Sequence, residues 1–292
     1  MVSIGVFDGV HLGHQAILAA NVARARQLGA RATVVTFAGH PKKLLLGREP
    51  RTLTSLEHRL ELFRRAGIEH TLALTFDEEL RQLSAEDFST DILVRRLGSR
   101  AYVLGFDSKF GRDKRGGPEL LIALGYDVQV VDQVQIGGRA VSSTAIREAI
   151  ELGDLDSARR MLGRPVSVLG SVIVGAKIGR ELGFPTANLD LHHELHPPPG
   201  VYAGLARVLG QSGEHRAVAN IGIRPTLDGA LARLQVEVHL LDFRGDLYGQ
   251  QLEFVFAARL RPEQRFENRE ALAQQIGRDV CAARAFLSAW RA

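Results

Sequence analysis

Two rhythms of apolar and polar positions trade places along the first half of the chain. Val2-Ser3-Ile4 has the length of a short buried strand. The stretch after it carries His14, Leu18, Val22, Ala25 and Leu28 at intervals of four, four, three and three, one face of a helix. The exchange then repeats. Residues 31–37 read as a strand, 55–66 as a helix and 71–76 as a strand. A helix over 84–97 opens on Ser84, with Asp87 three residues later in a capping-box-like arrangement. Residues 101–104 and 128–131 read as further strands, and 143–152 and 155–162 as helices. Strands alternating with helices predict an α/β domain, a mostly parallel sheet covered on both faces.

The texture changes at Gly163-Arg164-Pro165. Short β-branched runs follow at 166–175, 200–209, 217–221, 234–241 and 252–258, separated by Gly, Pro and Asp. That spacing predicts a small antiparallel barrel or sandwich. The chain closes on a helix whose apolar stripe is Leu272, Ile276, Val280, Ala283 and Leu287. The expected domains are therefore 1–163 and 164–292.

Composition narrows the class. The 292 residues are 45% hydrophobic, enough for packed cores, and two domains is the prior for this length. Thirty-seven basic and 33 acidic residues leave a net charge of +4, too even a balance to demand a nucleic-acid partner. Arginines such as Arg24, Arg26, Arg64, Arg65, Arg95 and Arg96 read as solvated helix faces. The single cysteine, Cys281, excludes an internal disulfide and fits a reducing compartment. The start lacks the basic and apolar regions of a signal peptide, and no apolar run approaches ~20 residues. A soluble cytoplasmic protein without a membrane partner is expected.

The densest candidate chemistry is Gly5-Val6-Phe7-Asp8-Gly9-Val10-His11-Leu12-Gly13-His14. It forms a strand-to-helix turn, and a helix N-terminus offers unpaired N–H groups and a positive dipole end to phosphate. His11 and His14 are three apart, so both rings can stand on one side of the first turn. Gly9 and Gly13 allow close backbone approach. Zinc is the first competing reading, but it wants further Cys or His ligands nearby. A turn with incidental histidines is the second. Phe37-Ala38-Gly39-His40-Pro41, Gly105-Phe106-Asp107-Ser108-Lys109-Phe110-Gly111 and a basic loop over 112–117 also follow strands. Ser142-Ser143-Thr144-Ala145-Ile146-Arg147 opens a helix. Singly these are turns, a loop and an N-cap; together they suit one composite phosphate site. The chain has neither a P-loop nor a dinucleotide-binding fingerprint after its first strand.

In the second half, Gly179-Arg180-Glu181-Leu182-Gly183-Phe184-Pro185-Thr186-Ala187-Asn188 reads as a polar loop. The Thr186 and Asn188 oxygens can face one way if this segment is extended, which suits Mg²⁺ held mainly by phosphate and water. Alternation along residues 235–240 puts Glu237 and His239 opposite Val236 and Val238. Glu237 there is either a general base or a solvent-facing strand residue.

Taken together, these motifs resemble the bacterial bifunctional riboflavin kinase/FAD synthetases over essentially the whole chain. Phe7-Asp8-Gly9-Val10-His11-Leu12-Gly13-His14 is similar to that family's form of the nucleotidylyltransferase HxGH signature, and Ser142-Ser143-Thr144-Ala145-Ile146-Arg147 to its second nucleotide motif. Gly183-Phe184-Pro185-Thr186-Ala187-Asn188, Gly200-Val201-Tyr202-Ala203, Asn220-Ile221-Gly222-Ile223-Arg224-Pro225-Thr226 and Asp246-Leu247-Tyr248-Gly249, in this order, resemble the kinase module. The resemblance implies a Rossmann-like nucleotidylyltransferase domain followed by an antiparallel β-barrel with a C-terminal helix. It implies two reactions, riboflavin to FMN in the second domain and FMN to FAD in the first, with ATP and Mg²⁺. By the match, His11, His14 and Arg147 hold the ATP phosphates, with Gly5, Phe7, Asp8, Gly13, Ser142, Ser143 and Thr144 around the nucleotide. His40 and Asp107 help to place ATP and FMN. Gly179, Pro185, Thr186 and Asn188 form the kinase nucleotide loop, with Thr186 and Asn188 on Mg²⁺. Glu237 accepts the ribityl proton, and Arg180 and Arg224 contact phosphate or flavin. The chain departs from the family pattern at Ala38 and Gly39, where an acidic residue and a proline usually precede the His-Pro, and it begins almost on its first strand. The first departure motivates an alternative, a kinase with an impaired adenylyltransferase half. A flavin- or RNA-binding regulator that has kept the fold is a rival of another class.

Overall fold

The computed structural model describes residues 1–39, 51–175, 178–224 and 233–291, which form two compact units, Met1–Ala145 and Ile146–Ala292. In the first unit the strands are β1 (Val2–Ile4), β2 (Thr33–Phe37), β3 (His70–Leu74), β4 (Ala101–Gly105) and β5 (Asp127–Val131). They make one parallel sheet in the order β3-β2-β1-β4-β5. The chain moves outward from β1 to β3 and then returns to the other side of β1. The strand order therefore reverses between β1 and β4, the position at whose carboxyl ends open α/β sheets bind ligands.

Helices α1 (Leu12–Gln27), α2 (Leu56–Arg65), α3 (Glu78–Gln82), α4 (Ala85–Asp87) and α5 (Pro118–Ala123) connect the strands. One face of the sheet packs Val34 and Val103 with Phe7, Leu18 and Phe63; the other packs Val35 and Leu104 with Phe88, Leu93 and Leu121. This two-sided burial is why the strands read as continuous apolar runs. Ser55 caps α2 by accepting the His58 N–H at 3.2 Å, and Ser84 caps α4 by accepting the Asp87 N–H at 3.0 Å.

Two local expectations change. Leu28 was expected on the buried face of α1, but the helix ends at Gln27 and Leu28, its C-cap, is exposed, while the polar Asn21 is fully buried. Asn21 is tolerated there because its Nδ2 donates to Ser3 Oγ at 2.8 Å and to the Thr33 carbonyl at 3.0 Å. The helix expected over 84–97 is α-helical only at its start and winds as a π-helix from Phe88 to Arg96. Ser89 and Thr90 donate their hydroxyls to the Ala85 and Glu86 carbonyls at 2.7 and 2.9 Å, competing with the regular ladder where the winding changes.

A two-stranded hairpin, β6 (Gln135–Ile136) and β7 (Arg139–Ala140), precedes α6 (Ser143–Glu151) and α7 (Leu155–Leu162). The chain passes from the first unit to the second within α6. The second unit is a closed barrel rather than a sandwich. Its strands are β8 (Ser167–Ile173), β9 (Ala187–Asp190), β10 (Gly200–Val208), β11 (His215–Arg224), β12 (Arg233–Leu240) and β13 (Gln251–Arg261), in the order β10-β11-β12-β9-β8-β13. The one-turn helix α8 (Ile178–Glu181) precedes β9, and α9 (Arg269–Ala289) follows the barrel. Strand β9 begins in the last two residues of the segment read from sequence as a polar loop and runs on to Asp190. Four residues ending in Asp carry too little pattern to register alone, and β9 is held by pairing with β8 and β12.

Ala283 and Leu287 of α9 are buried against Val201, Ala203 and Val218. Leu272, Ile276 and Val280, from the same stripe, line a cavity, and Val280 also packs against that cluster.

Candidate functional sites

The turn after β1 is strongly constrained. Phe7, Gly9 and Val10 have φ of 52°, 81° and 42°, and the Val10 N–H closes the turn on the Phe7 carbonyl at 3.1 Å. Positive φ at the β-branched Val10 is rare and persists only where neighbours enforce it. Those neighbours are visible. Asp8 Oδ1 accepts the Leu53 and Thr54 N–H groups at 2.8 and 3.2 Å, and Gly9 donates its N–H to Thr54 Oγ1 at 3.0 Å. Ser143 donates its hydroxyl to the Asp8 carbonyl at 3.0 Å, tying the start of α6 to the same turn.

The turn delivers His11 to the N-cap of α1, where its Nδ1 accepts the His14 N–H at 3.4 Å. The two imidazoles stack with centroids 3.6 Å apart, and Phe7 meets His14 edge-on at 5.2 Å, backed by Phe63. Both rings thus stand at the helix N-terminus, where backbone N–H groups and the dipole favour an anion. Phe7 and Asp8, expected among the ligand contacts, are buried and engaged within the protein. Phe7 packs on His14 and Phe63, and Asp8 holds residues 53 and 54 against the turn. Gly5 and Gly13 are close-packed as well: an added Cβ would lie 3.0 Å from the Phe7 ring and 3.3 Å from the His11 ring.

Gly9→Ala tests this reading of the loop. The left-handed backbone costs roughly 1–2 kcal/mol for a residue with a Cβ, and that atom would sit 2.6 Å from Leu53 Cδ1. The variant should melt at a lower temperature and lose the chemistry of the first unit, with the chemistry of the second unchanged.

The other expected residues of the first half fall as follows. Ser142 caps α6 by accepting the Ala145 N–H at 3.3 Å, Thr144 is exposed on its first turn, and Arg147 lies further along that helix. Asp107 is exposed in the turn after β4. His40 lies outside the described residues. Ala38 donates its N–H to the Leu74 carbonyl at 2.9 Å, so the departure from the family pattern begins on an ordered, sheet-paired residue.

Sequence reasoning missed a cavity of about 690 Å³ between Val6, Phe37, Phe76, Phe88 and Phe110, with Arg81, Lys109, Arg112 and Lys114 on its polar side. The basic loop was visible in the sequence. Its aromatic partners come from four separate segments and meet only in the fold. Gly111 is obligatory in this wall: its φ is +70°, and an added Cβ would lie 2.5 Å from the Ala85 Cα.

In the second unit, register decides the geometry. Glu237 on β12 pairs with Asn188 on β9 and with Asn220 on β11, so three polar side chains stand in one row on the outer face of the barrel. Val236 and Val238 point into the barrel and are buried. Glu237 and Asn220 of this row line a cavity of about 300 Å³, to which α9 contributes Leu272, Ile276 and Val280 and β13 contributes Arg261. Arg261 is fixed by a two-pronged ion pair with the buried Asp279, at 2.8–3.1 Å. Gln275 also donates to that carboxylate, at 2.9 Å.

Thr186 lines this cavity and also a smaller one of about 80 Å³, which holds Arg180, Pro185, Asp246 and Tyr248. Asn188 is buried, with its Oδ1 accepting from Gln235 Nε2. Two glycines make room here. An added Cβ at Gly179 would be 2.4 Å from the Phe184 carbonyl oxygen, and one at Gly175 would be 2.1 Å from Asn188 Nδ2. Arg224 ends β11, and its side chain lies outside the described positions.

Among the described residues, no group of three or more His, Cys, Asp or Glu could hold a metal ion. The zinc reading of His11 and His14 thus finds no further ligands there. The Thr186 hydroxyl on the smaller recess, with the Asn188 amide oxygen two residues on, is a hard-oxygen donor set that fits Mg²⁺ bound chiefly through a nucleotide's phosphates.

Comparisons with known proteins divide the chain in the same way. Residues 1–145 match the FAD synthetase family model and residues 162–287 the riboflavin kinase family model. The bifunctional riboflavin kinase/FMN adenylyltransferase of Pseudomonas fluorescens is 43% identical over 97% of this chain and 91% of its own length. The Escherichia coli K12 protein described in the same words is 37% identical over 98% and 92%, and that of Listeria monocytogenes 35% over 99% and 92%. A crystal structure described as a macrolide-efflux protein from Streptococcus pneumoniae superposes with a TM-score of 0.79, at 30% identity, over 99% of this chain and 94% of that one. Among the described residues, no helix is long and apolar enough to cross a membrane.

Proposed function

The chain belongs to the family of bifunctional riboflavin kinase/FMN adenylyltransferases, and we propose that it carries out both reactions of that family with the residues its two units bring together. The single observation carrying the kinase assignment is Glu237, set by the strand register between Asn188 and Asn220, in a cavity of about 300 Å³ that Leu272, Ile276 and Val280 line on one helix.

In the kinase, riboflavin lies against Leu272, Ile276 and Val280 with its ribityl chain toward Glu237. The ribityl hydroxyl oxygen bonds to the γ-phosphorus of ATP, the bond to ADP breaks, and Glu237 takes the hydroxyl proton. Thr186, shared by the two cavities, stands where acceptor and donor meet, with Arg180 on the nucleotide side. Thr186 and Asn188 hold Mg²⁺ with the ATP phosphates, and the ion neutralises phosphate charge when bound. Gly179 and Pro185 shape this loop, and Arg224 reaches phosphate or flavin.

In the adenylyltransferase, a phosphate oxygen of FMN bonds to the α-phosphorus of ATP and pyrophosphate leaves. His11 and His14, at the N-terminus of α1, stabilise the charge that builds on the α-phosphoryl group and the leaving pyrophosphate, together with Arg147. His40 and Asp107 help to place the substrates. The cavity of Phe37, Phe76, Phe88 and Phe110 suits a planar flavin ring, and Lys109, Arg112 and Lys114 suit its phosphate. The functional modules are proposed as residues 1–163 and 164–292, in a cytoplasmic enzyme whose partners are its small-molecule substrates.

A time course tests the whole assignment. Purified protein with riboflavin, ATP and Mg²⁺ should accumulate FMN and then convert it to FAD, read by chromatography. FMN that accumulates without FAD would restore the reading of an impaired first half. No phosphorylated flavin from folded protein would sink both activities.

A further inference from the structure

We propose that Arg59 is a positioning residue for adenylyl transfer, a buried cation that holds the nucleotide loop and the wall of the aromatic cavity in one arrangement. The inference rests on the adenylyltransferase reading above and assigns to it a residue that touches neither substrate.

Arg59 sits on α2 and is only 4% exposed, unlike the surface arginines of this chain. Its Nη1 donates to the Val6 carbonyl at 2.6 Å and to Thr36 Oγ1 at 3.1 Å, and its Nη2 donates to the Phe37 carbonyl at 2.9 Å. Its Nε reaches the Ser55 carbonyl at 3.4 Å, the carbonyl of the residue that caps its own helix. Thr36 adds a second link by donating its hydroxyl to the Val6 carbonyl at 3.1 Å.

The acceptors matter more than their number. Val6 is where the chain leaves β1 for the strained turn that carries His11 and His14; Phe37 is the last residue of β2. Val6 and Phe37 also line the aromatic cavity. One planar guanidinium therefore fixes the exits of two adjacent parallel strands at once. A lysine has one compact donor group and cannot span both with the same geometry. Adenylyl transfer depends on in-line approach of two bound phosphates, and misplacement of a positioning group by about 1 Å can cost ~100-fold in rate.

The test uses the full chain, with the kinase reaction as an internal control. Arg59→Lys and Arg59→Gln are compared with the parent in thermal melts, in FMN formation from riboflavin, and in FAD formation from supplied FMN. The expected result for Arg59→Lys is an unchanged kinase rate and a fall of about tenfold to 100-fold in kcat for FAD formation, with KM for ATP and FMN moving less than kcat. Arg59→Gln should fall further, and added guanidinium at millimolar concentration should restore part of its rate. FAD formation at the parental rate in a folded Arg59→Lys and Arg59→Gln pair would overturn the proposal. So would an equal loss of both activities that tracks the melting temperature, since that is loss of fold. If the parent itself makes no FAD from FMN, the adenylyltransferase reading has failed rather than the role of Arg59.

Discussion

Glu237→Gln is expected to stop FMN formation while leaving FAD formation from supplied FMN at its parental rate. The substitution keeps the shape and a hydrogen-bonding oxygen, so the row Asn188–Glu237–Asn220 and the strand pairing beneath it should persist. What is lost is a group able to accept a proton. A positioned general base is worth about 10²–10⁴ in rate, and the kinase kcat should fall within that range with little change in riboflavin affinity. The substitution leaves Leu272, Ile276 and Val280, which line the same cavity, untouched. Both reactions measured on the same preparation decide the point. A kinase rate within threefold of the parent would mean that Glu237 is a solvent-facing strand residue after all.

His14→Ala should do the reverse. The imidazole of His14 is held between the His11 ring at 3.6 Å and the Phe7 edge at 5.2 Å, so its position is set before any ligand arrives. Preorganised donors at developing phosphate charge are worth roughly 10²–10³ in rate each. FAD formation should drop by at least that factor, with FMN formation unchanged. The loop itself should survive, because its turn is pinned by Asp8, Gly9 and Thr54 rather than by His14. Loss of both activities in a folded His14→Ala protein would count against two independent active sites.

The sequence carried the architecture of this protein well, because its cues are local. Strand-length apolar runs, helix-period spacing and caps such as Ser55 and Ser84 act over a few residues, and the predicted elements appear in the fold within about three residues of their expected limits. The motif residues His11, His14, Thr186, Asn188 and Glu237 were named from the sequence for the same reason. Their order along the chain is a property of the chain. What was illegible is whatever depends on segments meeting across long separations. Strand β9 exists through its two neighbours, and Asn188 is brought beside Glu237 by a register that no local pattern states. Four phenylalanines, each ordinary in its own segment, close one cavity. The stripe on α9 reads uniformly as core, yet only Ala283 and Leu287 are fully buried against the barrel wall, with Val280 partly buried beside them, while Leu272, Ile276 and Val280 line a cavity. Phe7 and Asp8 sit inside a ligand motif but turn inward, and Arg59, one arginine among many along the chain, is buried because two strand ends present carbonyls to it. Local chemistry thus determined the elements and the candidate groups, while tertiary packing decided which of them face a substrate, which support those that do, and where the substrate fits, since hydrogen bonding and burial depend on what is near in space.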